Sequence, residues 1–250
     1  MKVHKIPGYI SILYLVEYDH GLLLLDSGCR PDVPTVFDFI ENKLKRPLED
    51  LKLVCVSHAH PDHSGGASFF QKRGIKVAGR LECNNWYKGP SGILAYIIDI
   101  FLTYVVAVKV RKEAVYQNVI FSRKVNFDES LVPGQTLPGF PDWQVLEAPG
   151  HTDNDISFYH QATSTAYIAD NVIATHKRFM APYPIYLPQK YKSTLKLYQQ
   201  LKISHFLMAH YGDHQIPGDI LDKIAAKVSD EPRRHRTMLP SLLFKLFARK

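Results

Sequence analysis

The sequence has little cysteine and lacks the motifs of several common enzyme classes. Three cysteines occur among 250 residues without paired spacing, so a disulfide framework is not indicated, and we expect free thiols in a reducing compartment. No Gly-x-Ser-x-Gly turn is present, which argues against a serine nucleophile. No Gly-x-x-x-x-Gly-Lys-Ser/Thr loop is present either, which argues against a phosphate-binding loop of the nucleotide-hydrolase type.

The amino terminus also lacks a targeting signal. Its first residues carry no apolar signal-peptide run and no small-residue cleavage site, so we expect a cytoplasmic protein. Hydrophobic residues make up 46% of the chain, which excludes a disordered polymer, and no repeat or low-complexity stretch is visible. These properties predict one globular domain over residues 1–230, followed by a tail at 231–250.

What the sequence does contain is a loop unusually rich in metal-binding side chains. The hexapeptide at 58–63 holds His58, His60, Asp62 and His63, after the apolar run 51–57 and before two glycines. This pattern predicts a buried strand that delivers a ligand loop to the start of a helix. Imidazole and carboxylate are the usual donors for zinc and related ions, whereas the alternative is a polar surface loop rich in histidine.

Three further donors stand where predicted strands end. His151 follows a strand-like run and a Pro-Gly turn, Asp170 ends the run 165–170, and His210 ends the run 205–210. Strand ends are where sites on layered α/β sheets are built. Taken singly, such a His is more often a turn residue and such an Asp a cap; together with the hexapeptide they form a candidate ligand set.

The apolar pattern predicts two strand-rich blocks, each carrying helices. Helices are expected near 33–45, 64–73, 190–202 and 218–229. Strands are expected near 2–6, 10–18, 21–26, 51–57, 75–78, 118–126, 143–147, 156–160, 165–170 and 205–209.

In these residues the chain resembles the metallo-β-lactamase-fold superfamily of metallohydrolases. The matching segments are, in order, Leu24-Leu25-Asp26-Ser27-Gly28, the hexapeptide, Pro149-Gly150-His151-Thr152, Ala169-Asp170 and Ala209-His210. The resemblance implies an α/β (α+β) fold in the form of a four-layer αββα sandwich, with two facing sheets, helices outside and the metals at one edge.

The resemblance also implies a role for each matched residue. The first of two divalent ions would be held by His58, His60 and His151, and the second by Asp62, His63 and His210. Asp170 would bridge the ions, and Asp26 would order the ligand loop by hydrogen bonds. Zn²⁺ is the first expectation, with Mn²⁺ or Fe²⁺ as alternatives.

A site of this kind predicts hydrolysis by a metal-activated hydroxide. Asp62 would orient the hydroxide and pass on its proton, so we expect it to be catalytic. With Asp at position 170, the chain resembles the thioesterase, lactonase and phosphodiesterase branches of the superfamily. This resemblance predicts an ester, thioester, lactone or phosphodiester substrate. The alternatives are a mononuclear iron oxygenase of the persulfide dioxygenase kind and a non-catalytic metal-binding module.

An apolar insertion at about 85–117 separates the second and third ligand groups. Its core, 93–108, has Asp99 as its single charge. A membrane span is not expected, because a central Asp is costly in lipid and a span would separate His63 from His151. Three interpretations stay open: a buried helix or helical pair, a lid or membrane-dipping wall for a lipophilic substrate, and a homodimer interface.

The tail at 231–250 concentrates positive charge beside an apolar stripe. It carries six Lys/Arg and one Glu, which is +5 of the chain's net +7. We hypothesise peripheral membrane contact through 93–108 and 233–250, the alternative for the tail being a helix that docks on the domain. Nucleic acid is not an expected partner, because the tail's aromatic residues lie in the apolar stripe.

Four more residues could line a substrate pocket. His176 follows Asp170 on a predicted loop, Tyr183 and Tyr186 lie in a Pro-rich stretch, and His214 lies four residues beyond His210. Each could donate a hydrogen bond to a small-molecule substrate, and the alternative for each is a solvated loop side chain.

Overall fold

The computed structural model describes residues 1–110, 116–175 and 178–233. Its strands are β1 Lys2–Pro7, β2 Ile12–Tyr18, β3 Gly21–Leu25, β4 Leu51–Val56, β5 Val77–Gly79, β6 Glu129–Ser130, β7 Thr136–Leu137, β8 Phe140–Glu147, β9 Ile156–His160, β10 Thr165–Ala169, β11 Ile173–Ala174, β12 Phe179–Met180, β13 His205–Met208 and β14 Gly212–His214. Its α-helices are α1 Asp32–Asp38, α2 Pro61–Ser64, α3 Ala67–Gln71, α4 Gly89–Val110, α5 Pro188–Gln200 and α6 Gly218–Lys227.

The strands form two six-stranded sheets and one small ribbon. The first sheet runs β1-β2-β3-β4-β5-β6, antiparallel as far as β3 and parallel from there on. The second sheet runs β14-β13-β10-β9-β8-β7, with β10 and β13 parallel. Since β8 and β10 are each antiparallel to β9, the carboxyl ends of β8, β10 and β13 lie at the same edge.

Apolar side chains fill three layers, as the αββα prediction requires. Between the sheets, Leu23 and Cys55 of the first sheet share a core with Trp143 and Phe158 of the second. The outer face of the first sheet packs against α1 and α3, and that of the second packs against α5 and α6. The alternation of side chains along each strand places one set inside and the other under a helix. The predicted fold class is confirmed.

Helix α4 lies in the predicted insertion and packs by one face. Its buried face contacts Tyr9, Cys29 and Val119 in a small cluster separate from the core between the sheets. Its apolar outer face is exposed and consists of Ile93, Leu94, Ile97, Phe101 and Val108. By length and composition Gly89–Lys109 could cross a membrane. In the described part of the insertion there is thus one helix rather than a helical pair, and only 22% of its apolar 18-residue stretch is buried.

Two predicted elements differ in the structure. The predicted strand at 118–126 is wrong, because side chains rather than a neighbouring strand satisfy its backbone. The Asn84 amide pairs with both backbone groups of Val125, and the Tyr96 hydroxyl pairs with those of Phe121. The predicted helix at 64–73 is divided into α2 and α3, because the Gly66 amide donates to the Gly28 carbonyl at 2.9 Å.

Candidate metal centre

Five strands end at one edge of the sandwich, and each is followed in the sequence by at least one residue of the candidate site. Asp26 follows β3 and the hexapeptide follows β4 in the first sheet. In the second sheet His151, Asp170 and His210 follow β8, β10 and β13. Parallel strands present their carboxyl ends together, so residues far apart in sequence meet here.

The first donor group combines three imidazoles and one carboxylate. Its members are His58, His60, His151 and Asp170, whose candidate ligand atoms all lie within 4.8 Å of one another. Nδ1 of His60 lies 3.1 Å from Nε2 of His58 and 3.1 Å from Nε2 of His151. Oδ2 of Asp170 lies 3.6 Å from Nε2 of His151. Four converging nitrogen and oxygen atoms of this kind suit a tetrahedral zinc-type ion.

The second donor group lies on the other side of Asp170. It consists of Asp62, His63, His210 and Asp170. Oδ2 of Asp62 is 3.3 Å from Nε2 of His63 and 3.2 Å from Nε2 of His210. Oδ1 of Asp170 is 3.4 Å from each of these two nitrogens. The two carboxylate oxygens of Asp170 therefore face different groups, as a bridging ligand would.

Hydrogen bonds on the far side of the rings fix which nitrogen faces the centre. Nδ1 of His63 pairs with Asp26 at 2.5 Å and that of His58 with the Ser57 hydroxyl at 3.0 Å. Nδ1 of His151 donates to the Pro184 carbonyl at 2.8 Å, and Nδ1 of His210 donates to the Ile10 carbonyl at 3.1 Å. In the neutral ring each bond leaves the lone pair on Nε2, the arrangement typical of metal-binding histidines.

Asp26 ties the ligand loop to the rest of the molecule. Its carboxylate accepts hydrogen bonds from the backbone amide of Ser57 at 2.6 Å and from the Ser57 hydroxyl at 2.7 Å. It also accepts from His63 and from the Tyr167 hydroxyl, both at 2.5 Å. The contacts fit the loop-ordering role expected for this residue.

Three non-glycine residues in or next to the site have a backbone in the left-handed conformation. Asp26 has φ 64°, Ala169 has φ 46° and Tyr211 has φ 71°. Such conformations cost about 1–3 kcal/mol each and tend to cluster at functional sites. Gly66 next to the hexapeptide is required for another reason, since a Cβ there would lie 2.4 Å from the Ser27 carbonyl oxygen.

Opposite charges dominate the electrostatics of the second group. Burial alone would lower the pKa of His63 and His210, but the facing carboxylates raise the pKa of His63 well above its usual range and that of His210 to about 10. Burial alone would raise the pKa of Asp62 and Asp170, but these imidazoles hold it well below its usual range. Without metal, protonated imidazoles thus supply the positive charge that the carboxylates need.

In the first donor group, by contrast, the pKa of a histidine is lowered. Burial, followed by the neighbouring imidazoles, lowers the pKa of His58 well below its usual range. The ring is therefore neutral at physiological pH, which is the state that binds a metal.

Within the second group, three buried polar atoms make no hydrogen bond to a described residue. They are Oδ2 of Asp62, Nε2 of His63 and Oδ1 of Asp170. Buried polar atoms without partners are costly, and an ion at their centre would satisfy all three. The donor types, their convergence and these atoms together fit a metal ion.

A cavity of about 350 Å³ opens onto both groups. Five metal-donor candidates line it, together with Asp99, Leu102, Val106 and Lys109 of α4 and with Ile10 and Ile173. A larger cavity of about 780 Å³ lies between β12 and α6, and no candidate donor lines it. The smaller cavity, which the candidate metal donors line, is therefore the candidate substrate site.

The four residues predicted to line a substrate pocket lie in different places. Tyr183 lines the cavity at the metal centre. Tyr186 packs edge-on against Trp86, whose ring lies 5.7 Å from that of His60. His214 lines the larger cavity instead, and its Nε2 pairs with the Tyr211 carbonyl at 2.9 Å. His176 lies outside the described residues, as does the tail from residue 234 onward.

Asp99 is a site residue that sequence reasoning missed. Its side chain is 4% exposed, and Oδ2 lies 3.7 Å from Nε2 of His60. The same oxygen accepts a hydrogen bond of 2.9 Å from the Tyr87 hydroxyl. A single carboxylate in an apolar helix was the available signal, since a buried charge needs a partner.

Comparison with known families agrees with this geometry. Residues 8–210 match the family model of the metallo-beta-lactamase superfamily. The chain is 24% identical over 172 residues to the probable metallo-hydrolase YqjP of Bacillus subtilis (strain 168). That match covers 65% of this chain and 53% of the relative, so the chain spans about half the length of this relative.

Solved structures show the same fold. The metallo-beta-lactamase family protein TTHA1429 of Thermus thermophilus superposes with a TM-score of 0.68 at 18% identity, over 96% of this chain and 81% of that one. The archaeal superfamily protein ST1585 of Sulfolobus tokodaii gives 0.62 at 16% identity, over 90% and 85%. The mono-zinc form of the metallo-beta-lactamase FIM-1 of Pseudomonas aeruginosa gives 0.61 at 13% identity, over 87% and 84%. The chain belongs to the metallo-beta-lactamase superfamily.

Proposed function

We propose that this member of the metallo-beta-lactamase superfamily is a dinuclear metal-dependent hydrolase with Zn²⁺ as its expected ion. The observation that carries the proposal is the division of seven side chains into two donor groups that share Asp170. Superfamily membership and the metallo-hydrolase relative support a metal-dependent hydrolase. Mn²⁺ and Fe²⁺ suit the same donors and are the alternatives.

Each donor group would hold one ion. The first ion would be held by His58, His60 and His151, the second by Asp62, His63 and His210, and both by Asp170. When bound, the two ions supply a water-derived nucleophile at neutral pH and a Lewis acid for the oxygen of the scissile group.

The chain's own carboxylates would prepare the attack. Asp62 and Asp170 reduce the net positive charge of the loaded centre, so the nucleophile keeps its reactivity. Asp62 lines the cavity, and its Oδ2 faces the second donor group. Its other carboxylate oxygen can accept a hydrogen bond from the attacking water, orient it and take up its proton.

The shape and lining of the cavity support a small substrate with an apolar part. About 350 Å³ suits a small molecule, and Ile10, Leu102, Val106 and Ile173 contribute apolar side chains to the wall of the cavity. We propose an ester, thioester, lactone or phosphodiester whose scissile group meets the metal centre while its apolar group contacts this wall. Tyr183 lies at the same cavity and can donate a hydrogen bond to the substrate.

Metal content and activity, measured on the same variants, test the proposal. Wild-type protein purified without added metal should contain about two equivalents of zinc or manganese by elemental analysis. His58→Ala and His210→Ala should each retain about one equivalent and lose hydrolysis of generic phosphodiester, thioester and lactone substrates. His205→Ala is the matched control, because His205 is exposed and lies on the strand that precedes His210.

Two results would contradict the proposal in different ways. About one equivalent of iron with oxygen consumption and no hydrolysis would favour the persulfide-dioxygenase-like oxygenase. A loaded centre without activity on any substrate class, and with biological activity unchanged in His60→Ala and Asp170→Ala, would favour a non-catalytic metal-binding module.

A further inference from the structure

We propose that the apolar outer face of α4 binds an anionic membrane surface and gives the hydrolase access to acyl esters dissolved there. The substrate part of this inference rests on the proposed function, whereas the membrane part does not. The five side chains of this face are between 43% and 67% exposed. Hydrophobic residues exposed together in this way mark an interaction surface more often than residues exposed singly.

The five residues form one continuous stripe. At 100° per residue, positions 93, 94, 97, 101 and 108 fall within an arc of about 100° around the helix. Asp99 is the one charge in the sequence between Gly89 and Val108, and it is buried on the opposite side. Tyr104 also falls within this arc, but its hydroxyl is buried. The exposed part of the outer face therefore offers no charged group that a folded protein partner could use for orientation.

The opposite side of the same helix faces the metal centre. Asp99, Leu102, Thr103, Val106 and Lys109 line the cavity. Helix α4 thus separates the catalytic cavity on its inner side from the surface that we assign to lipid on its outer side. Lys109 and Tyr211 are both exposed and line the cavity as well, so its mouth lies beside the carboxyl end of the stripe.

Charge favours an anionic bilayer as the occupant. Lys88 and Lys109 are exposed and flank the stripe. Each basic residue near an anionic surface adds attraction, whereas apolar insertion supplies the rest of the binding. A second copy of the chain fits less well, since antiparallel pairing of two such helices would bring Lys88 of one close to Lys109 of the other.

Insertion across the bilayer is disfavoured by the inner face. A span would remove Asp99 from the Tyr87 hydroxyl and from His60 and expose it to lipid. It would also separate Ala107 from its contacts with the domain. The helix therefore lies on the surface rather than across it.

Vesicle binding of the full chain tests the surface. Wild-type protein should float with vesicles of phosphatidylglycerol and phosphatidylcholine, and binding should fall with added salt or with phosphatidylcholine alone. The double variant Ile97→Ser/Phe101→Ser should bind about tenfold more weakly, because it removes two apolar side chains from the stripe. Val132→Ser is the matched control, since Val132 is 58% exposed and Ile97 is 57% exposed.

Activity on two ester substrates tests the membrane surface separately from the proposed function. Hydrolysis of a short, water-soluble ester should be the same in the double variant and the wild type, because neither residue lines the cavity. Hydrolysis of a long-chain ester carried in the vesicles should fall with vesicle binding. If the wild type binds vesicles but hydrolyses no ester, thioester, lactone or phosphodiester, the proposed function fails while the membrane surface stands.

Three outcomes would overturn the membrane surface. The first is no binding of the wild type to anionic vesicles, and the second is equal binding by the double variant. The third is a wild-type dimer that becomes monomeric in the double variant without any vesicle binding, which would assign the face to a second copy. Circular dichroism and thermal unfolding of each variant show whether the fold is intact.

A separate observation concerns the buried side of α4. We infer that Asp99 is a positioning residue for His60. Four of the five histidines in the donor groups have a hydrogen-bonding partner within 3.1 Å on the nitrogen that faces away from the centre. For His60 the corresponding nitrogen is Nε2, and it faces Oδ2 of Asp99 at 3.7 Å. Asp99 thus completes the pattern through charge rather than through a direct hydrogen bond.

The surroundings of Asp99 hold it in this place. The Tyr87 hydroxyl donates to Oδ2 at 2.9 Å, and the Thr103 hydroxyl donates to the backbone carbonyl of Asp99 at 2.8 Å. The Trp86 ring contacts the His60 ring edge-on and limits its rotation. The insertion helix is therefore coupled to one metal ligand through a single buried carboxylate.

Metal binding rather than activity tests this role. Asp99→Ala should weaken binding of one ion by about 10- to 100-fold and leave the other ion's affinity unchanged. The visible spectrum of the Co²⁺-substituted protein should change with it, which a merely structural defect would not cause. Asp99→Asn should restore part of the affinity, and Tyr87→Phe should have a smaller effect in the same direction. Unchanged affinities and an unchanged Co²⁺ spectrum in folded Asp99→Ala would overturn the inference.

Discussion

The Tyr167 hydroxyl donates a hydrogen bond of 2.5 Å to Oδ2 of Asp26, and this contact joins the two sheets beneath the metal centre. Asp26 follows β3 of the first sheet, whereas Tyr167 lies in β10 of the second, 141 positions later. Because Asp26 also holds Ser57 and His63, one carboxylate connects the sandwich to the start of the ligand loop. The relative position of the sheets is thereby transmitted to the ligands.

Replacing Asp26 by Asn should damage both stability and metal binding. The amide oxygen of Asn can accept only part of this set of hydrogen bonds, and its NH₂ group faces donors. We expect a loss of about 3–5 kcal/mol in the free energy of unfolding and a 10- to 100-fold loss of affinity for the ion held by His63. Chemical unfolding of the metal-free protein and competition with a chromophoric chelator measure the two effects. Asp38→Asn, at an exposed carboxylate, is the control.

Tyr167→Phe separates the contact between the sheets from the contacts to the loop. Burial, followed by the charge of Asp26, raises the pKa of Tyr167 well above its usual range, so the phenol remains a donor at all working pH values. Removing one hydrogen bond to a charged acceptor should cost about 1.5–3 kcal/mol in urea unfolding. Metal content should stay at the wild-type value, since Ser57 and His63 keep Asp26 in place. An unfolding free energy within about 0.5 kcal/mol of the wild type, the range of a neutral surface substitution, would contradict this account.

Loading the centre with metal should release protons at pH 7.5. Both His63 and His210 have a raised pKa in the metal-free protein, that of His210 to about 10, so each ring carries a proton that a metal ion must displace. We expect about two protons per chain from these rings in the wild type and about none from them in His210→Ala, because that variant loses the ion that would displace the proton of His63. Calorimetric titration with Zn²⁺ in buffers of different ionisation enthalpy measures the number. No dependence on the buffer would show that the rings are already neutral.

The chemistry of the site could be predicted from the sequence because its donors are local signals. The spacing of His58, His60, Asp62 and His63 puts four donors in one loop, and His151 and Asp170 each end an apolar run. Strand ends in such folds converge, so the topology follows once the sheets are recognised. The αββα layers follow as well, since central strands such as β3 and β10 are apolar almost throughout and bury both faces.

The parts that could not be predicted depend on long-range contacts. The Ile10 and Pro184 carbonyls that orient two histidines are backbone groups and leave no trace in the sequence. Asp99 was visible only as a charge that disfavours a membrane span, and nothing local connects it with His60. The segment 118–126 has the composition of a strand, but Asn84 and Tyr96 satisfy its backbone from elsewhere in the chain.

The pH dependence of stability should show a signature of Asp155, next to the turn that carries His151. Burial is the largest influence on this carboxyl and raises its pKa from 3.8 to about 6, although the amide of Thr152 donates to it at 2.7 Å.

The sign follows from where the proton binds more tightly. The folded protein holds the proton of Asp155 up to about pH 6, whereas the unfolded chain releases it near pH 4. As the pH rises from 4 to 6, this group therefore lowers the free energy of unfolding, by about 3 kcal/mol in total, and contributes no further change above pH 6. The carboxylates of Asp62 and Asp170 have the opposite slope at lower pH, because their folded pKa is depressed.

The Asp155→Asn variant isolates this contribution, since all other carboxylates remain in both proteins. Asn keeps one acceptor for Thr152 and has no charge to bury, so the variant should be less stable than the wild type at pH 4. The difference should shrink or reverse by pH 7, by about 3 kcal/mol. Urea unfolding of the two metal-free proteins at half-unit pH steps measures this difference. If the two stability curves run parallel from pH 4 to 7, the carboxyl of Asp155 titrates alike in the folded and unfolded states, and burial does not control it.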